Sequence, residues 1–422
     1  MIPDFGAKVD TAMSTEAGGS ELEARWLLSA GAVREKAHAI LEAIGRGESE
    51  HFSLDSRALP AVVERVAQVT QSNYPELDRV PYHSRLRHFE AGGVDRLTRF
   101  EASVAALSAS ERLRARMDLV ITSVLLDAGA GPSWSYRETT GASSQRSEGL
   151  AIASFDWFMA GGLSSQPTDA PLRADARRLE ALTEADVAAA FQVRSDNPLV
   201  GLSGRTQVLQ RLGRVTRERG DWFRPVSGVA RPGALADALM EQAAGGTLPA
   251  SRVLDAVLEA FGDIWPGRER LGGKPLGDVW THSRFGRVPF HKLSQWLSYS
   301  LCDCLESSGV RVTALDELTG LAEYRNGGLF IDLGVIVPRH AEVLSERQAV
   351  GSDLVIEWRA LTLALLDRVG EALRERWQMT PEELPLVKVL EGGTWAAGRA
   401  VARELRADAS PPIRIDSDGT VF

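Results

Sequence analysis

Two stretches of the chain gather residue types able to do acid–base and anion-binding chemistry. The first reads Leu126-Asp-Ala-Gly-Ala-Gly-Pro-Ser-Trp-Ser-Tyr-Arg-Glu138 and resumes at Gln145-Arg-Ser-Glu-Gly149. An apolar helix here delivers Asp127 to a glycine turn. The loop then presents Trp134, Tyr136, Arg137 and Glu138, and a second helix opens on Arg146. A helix start with free amides beside an arginine suits an anion. The competing structural reading is that Asp127 closes one helix while Glu148 complements the dipole of the next.

The second stretch, Gly272 to Val337, holds Lys274, Asp278, Trp280, His282 and Arg284, then Pro289-Phe-His-Lys-Leu-Ser-Gln-Trp-Leu-Ser-Tyr299, then Glu323-Tyr-Arg-Asn326 and Asp332. His291, Lys292, Gln295 and Tyr299 fall at helical spacings and are expected to line one face. Glu323 and Arg325 have a plainer reading as an ion pair. A third stretch, Arg79 to Glu90, interleaves arginines with Tyr82, His83, His88 and Phe89. It reads as a solvated turn, with phosphate or base binding as the alternative. His83 and His88 stand five apart and no HExxH or CxxC pair exists, so neither a metal nor another cofactor is expected. Gly129-Ala-Gly131 meets Trp134 where a dinucleotide loop needs its third glycine. Gly267 to Lys274 fails as a phosphate loop, with Gly273 before the lysine and Pro275 after it.

Helices must position these residues. Apolar side chains recur at three and four spacing over Glu21–Ile44, Ser56–Val69, Ser110–Leu125 and Ser147–Met159. Further helices are expected at 184–193, 233–244, 252–261, 290–307, 353–377 and 381–407. Strand signals are confined to Gly328–Pro338 and a C-terminal hairpin around Asp418-Gly419. Without βαβ alternation, a Rossmann or barrel fold is not expected. The fold class is therefore mainly α: one large multi-helix unit over residues 21–422 with a small β element. A mobile Gly/Ser-rich leader (1–20) precedes it, and Pro167–Arg173 is the best candidate for a subdivision.

Composition agrees. The 422 residues are 44% hydrophobic and 25% charged, which suits a globular protein and not a disordered one. The net charge of −9 argues against a nucleic-acid partner. No apolar run is long enough for a membrane span. Two cysteines, Cys302 and Cys304, fit a reducing compartment, and a cytoplasmic location is expected.

Five blocks together resemble one family: Leu125 to Gly131, Arg146 to Ala151, Pro289 to Ser300, Leu318 to Gly334, and Ser417 to Phe422. The family is that of the fourth protein of the URC uracil-catabolism pathway, also called the Urg-three type, long catalogued as a domain of unknown function. The resemblance runs from about Glu21 to Phe422. Ala322 departs from it, standing where the family pattern has proline. A looser, fold-level likeness is to DNA-glycosylase and queuosine-salvage proteins. The resemblance implies a small-molecule ribosylated substrate derived from a pyrimidine, and the reaction expected from it is N-glycoside hydrolysis of ribosylurea or its 5-phosphate to release urea. Asp332, Glu323 and Asp127 are the candidate catalytic carboxylates. Arg137, Glu138, Arg146, His282, His291, Lys292, Trp296, Tyr299, Arg325 and Asn326 are the candidate substrate- or phosphate-binding residues, with Arg146, His291, Lys292 and Arg325 expected to hold a phosphate. Phosphoribosyl transfer to uracil and a non-enzymatic role beside another pathway protein are the alternatives. The reading requires the Asp127 turn and the Glu323–Asn326 segment to fold around one cavity.

Overall fold

The computed structural model describes residues 18–127, 129–224, 228–265 and 267–416. Residues 18–20 of the expected leader are helical, and the rest of the leader lies outside the described residues. The turn and far strand of the expected C-terminal hairpin lie outside them too. The described residues are 58% helical with short strands, a mainly α, single multi-helix unit. Every sheet among the described residues is a two-stranded ribbon. One hydrophobic cluster runs through the molecule from Ala30 to Ile413.

The 25-residue helix Asp353–Trp377 forms the axis, and its span matches the expected one. It is buried on nearly every face from Leu354 to Leu366. That is what a helix apolar all round requires. The helix Ala30–Gly45 packs along it. The expected continuous helix from Glu21 breaks at Ser29, whose hydroxyl accepts from the Ala32 amide and caps a new start. A second layer joins Ala109–Leu125, Arg146–Met159 and Lys292–Glu306.

Three further elements differ from the sequence reading. Gly328–Pro338 is not a strand. Tyr324–Asp332 is a helix, and only Ile336–Pro338 is extended, pairing antiparallel with Phe52–Leu54. The side chain of Glu323 starts that helix by accepting from the Arg325 and Asn326 amides. Its glycines let it lie close on its neighbours: a Cβ at Gly327 would fall 2.8 Å from the Trp358 ring. The expected 381–407 helix is split into Leu386–Val389, a π-turn at Leu390–Thr394 and Trp395–Leu405. Close packing accounts for the break, since a Cβ at Gly393 would fall 2.4 Å from Thr70 Oγ1. Leu202–Glu218 is a long helix whose many arginines hid its period.

Candidate active site

The Ala109–Leu125 helix ends where the helices Arg146–Met159, Lys292–Glu306 and Tyr324–Asp332 begin. Between them lies a cavity of about 410 Å³. That size suits a small ligand. Its lining includes Asp127, Arg146, Lys292, Trp296, Glu323 and Arg325, so residues from both chemistry-bearing stretches meet in one hollow. His83, His88 and Trp395 complete one wall, and the segment 408–411 with Ile413 covers another side.

Asp127 is held from several directions. The fully buried Arg85 guanidinium lies 3.0 Å from its carboxylate. The Ser147 hydroxyl donates to it at 2.7–2.8 Å. His88 Nδ1 lies 3.0 Å from the same hydroxyl oxygen and 3.4 Å from Arg85 Nη1. Burial works to raise the Asp127 pKa, but Arg85, His88 and Ser147 overcome it, and the carboxyl sits below its ordinary value. Burial and the neighbouring Arg85 push His88 down to about 4, so it is neutral at physiological pH. On the Leu202–Glu218 helix, Arg205 donates to the Gly129 carbonyl at 3.1 Å and steadies the turn that carries Asp127.

Glu323 receives the Asn326 and Arg325 amides at 2.6 and 2.7 Å. Burial outweighs these bonds and raises its pKa. Lys292 reaches the same cavity from the first turn of its helix. Among the described residues no carboxylate lies within ion-pair distance of its amine. Burial lowers its pKa, against the charges of Glu323 and Asp127, which act to raise it. Trp296, one helical turn on, stacks obliquely with His88 at 5.4 Å between centroids. Trp395 lies 5.9 Å from the same ring. Arg146, Arg325 and Arg399 also line the cavity, and Arg146 and Arg399 face as well a wider polar hollow shared with Arg87 and Arg403. Arg399 pairs with Glu148 at 2.5 Å.

Other candidates lie elsewhere. Asp332 is not in the lining. It is clamped at 2.8 and 2.6 Å by the Arg406 guanidinium, so the candidate catalytic carboxylate at this position does not face the cavity. Glu138 is likewise held by Arg96 at 2.6 Å. Arg137 is exposed, with its backbone bonded to the Gln192 side chain. His282 accepts from the Arg284 amide at 3.0 Å and faces Glu357 at 3.4 Å. The expected common face of His291, Lys292, Gln295 and Tyr299 divides. His291 bonds the Leu27 carbonyl, and the buried Gln295 and Tyr299 turn to Thr319. Lys292 and Trp296, four apart, form the cavity stripe instead. Asn326 is buried and donates to the Leu321 carbonyl, behind the lining.

Sequence reasoning passed over Arg85 as part of a solvated charge run. It noted His88 and Tyr324 without placing them among the candidate site residues, and it did not single out Trp395 or Arg399. The three-residue interval between Arg85 and His88 was the available signal: on the helix Arg85–Phe89 it places both on one face. Among the described residues no cluster of three or more His, Cys, Asp or Glu could hold a metal ion. No helix among them is long and apolar enough to cross a membrane.

Residues 26–422 match a family model described as a protein of unknown function, DUF1688. The chain is 37% identical over 414 residues to Protein urg3 of Schizosaccharomyces pombe (strain 972 / ATCC 24843), covering 94% of this chain and 98% of that protein. It is 34% identical over 435 residues to Uracil catabolism protein 4 of Lachancea kluyveri, covering 93% and 98%.

Proposed function

Because this chain belongs to the DUF1688 family, with a relative named for uracil catabolism along nearly its whole length, we propose that it serves uracil catabolism as an N-glycoside hydrolase. Its substrate in this reading is ribosylurea, free or phosphorylated, and its products are urea and the sugar. The observation that carries the proposal is the meeting of Asp127, Lys292 and Glu323 in one cavity with an aromatic wall.

Breaking the bond between the anomeric carbon and the urea nitrogen sends the electron pair to nitrogen and leaves positive charge on the sugar. Asp127 is a carboxylate kept ionised in a largely buried site, where it stabilises that charge and takes a proton from the attacking water. Lys292 carries a proton on an amine with a lowered pKa and delivers it to the departing urea nitrogen. The proton taken up at Asp127 returns to solvent or to Lys292, so the net reaction adds one water. Glu323 is a positioning residue: it caps the helix behind it and its charge helps keep Lys292 protonated. Trp296, His88 and Trp395 offer flat surfaces for the sugar and the planar urea.

The test is incubation of the purified protein with synthetic ribosylurea and with its 5-phosphate while urea is measured. Urea release supports the proposal, and its absence from both substrates overturns it.

A further inference from the structure

We infer that Arg146 and Arg325 form a phosphoryl subsite of this cavity beside the covering segment, and that the physiological ligand is a phosphate monoester of its sugar. The identity of the rest of the ligand rests on the hydrolase reading. The subsite itself stands on charge and geometry.

Every carboxylate deep in the cavity is already matched. Asp127 has Arg85 and Ser147, Glu148 has Arg399, and Glu323 has two backbone amides. Arg146 and Arg325 have no such match: among the described residues no carboxylate oxygen lies within 4 Å of either guanidinium. The hydrogen bonds they make among the described residues go to neutral carbonyls of the covering segment, Arg146 to Asp408 at 3.4 Å and Arg325 to Ala409 at 3.3 Å, and Arg325 also lies over the Tyr324 ring at 4.9 Å. Arg325 is only 5% exposed. Charges removed from water without a counter-ion are costly.

The two guanidiniums also act unfavourably on each other, with Arg399 adding to the effect. Arg146 is held there in a left-handed backbone conformation, φ 56°. A non-glycine residue is found in that region at functional sites when its surroundings impose it. The side chain of Gln145, which precedes it, makes no cap bond to the helix. A phosphate dianion meets these conditions. Its charge matches two cations, and its oxygens can accept from both forks. Lys292 shares the lining and lies under the charges of Glu323 and Asp127. In this proposal a ribosyl group with its phosphate at the arginines turns its anomeric carbon toward Asp127 and Lys292.

The experiment is calorimetric titration of the full chain with ribose 5-phosphate, ribose and inorganic phosphate, repeated for Arg146→Gln and Arg325→Gln. Arg146→Lys serves as a conservative control, and turnover of both ribosylurea forms is measured alongside. The expected result is ribose 5-phosphate binding at least on the order of a hundredfold tighter than ribose. Each Gln variant should weaken ribose 5-phosphate by about tenfold or more, with partial recovery in the Lys variant. Equal binding of ribose and ribose 5-phosphate, no binding of ribose 5-phosphate, or an unaltered preference in both Gln variants overturns the subsite. The two proposals separate cleanly. Ribose 5-phosphate bound through these arginines without urea release keeps the subsite and rejects the hydrolase. Equal turnover of free and phosphorylated ribosylurea keeps the hydrolase and rejects the subsite.

Discussion

Asp127 carries two loads at the scale of the single residue: it neutralises Arg85 and it faces the cavity. Asp127→Asn keeps the shape and removes the charge. The expected result is a fall in kcat of about 10²–10⁴, the range for a lost acid–base or charge-stabilising group. The same change leaves Arg85 buried without its partner, so stability should fall by about 3 kcal/mol in denaturant unfolding. Lys292→Met tests the other end without that cost. The alkaline limb of kcat/KM should lie below the pH of an ordinary lysine in the wild type, because burial lowers the Lys292 pKa, and no limb should remain in the variant. His88 gives a stability signature. It is neutral in the folded chain down to about pH 4, whereas the unfolded chain binds a proton near 6.5. Stability contributed by the neutral ring is therefore full above pH 6.5 and is lost as pH falls toward 4, by up to about 3 kcal/mol. Urea unfolding across that window should lose much of its slope in His88→Gln.

The elements that aim these residues do so through close contacts and caps. The helix Trp395–Leu405 crosses Tyr324–Asp332 at Gly398, where a Cβ would fall 2.3 Å from the Arg325 carbonyl. Gly398→Ala should therefore cost about 1–3 kcal/mol and lower activity by displacing Arg325, as measured by unfolding and turnover on one preparation. Much of this level was legible in the sequence. Periodicity placed the Asp353–Trp377 helix, and the mixed polar glycine turns marked Asp127, Arg146, Glu323 and Arg325. Other parts were hidden for physical reasons. Phe330 and Ile331 beside glycines resemble a strand, and only the Glu323 cap and the packing of Gly327 on Trp358 make the segment helical. Helical spacing around His291 identified a helix but not which stripe meets the cavity. The charge of Arg85 suggested solvent, while its partner Asp127 lies 42 positions away and allows full burial.

Across the whole molecule the site depends on segments remote in sequence. Residues 83–88, 127–148, 292–296, 321–325, 395–399 and 408–415 all contribute to one lining. Hydrogen exchange with and without ribose 5-phosphate should therefore show slowed amides at 146–149, 323–326 and 408–413 together, and protection confined to one segment would contradict a shared site. The covering segment was unreadable beforehand because it acts through main-chain carbonyls and small residues, which leave no chemical signature in the sequence. The most direct measurement of the central claim is the initial rate of urea release from ribosylurea 5-phosphate by the wild type and by folded Asp127→Asn. The account predicts sustained turnover for the wild type and a rate at least about a hundredfold lower for the variant. Wild-type protein that releases no urea, or a variant as fast as the wild type, would contradict it.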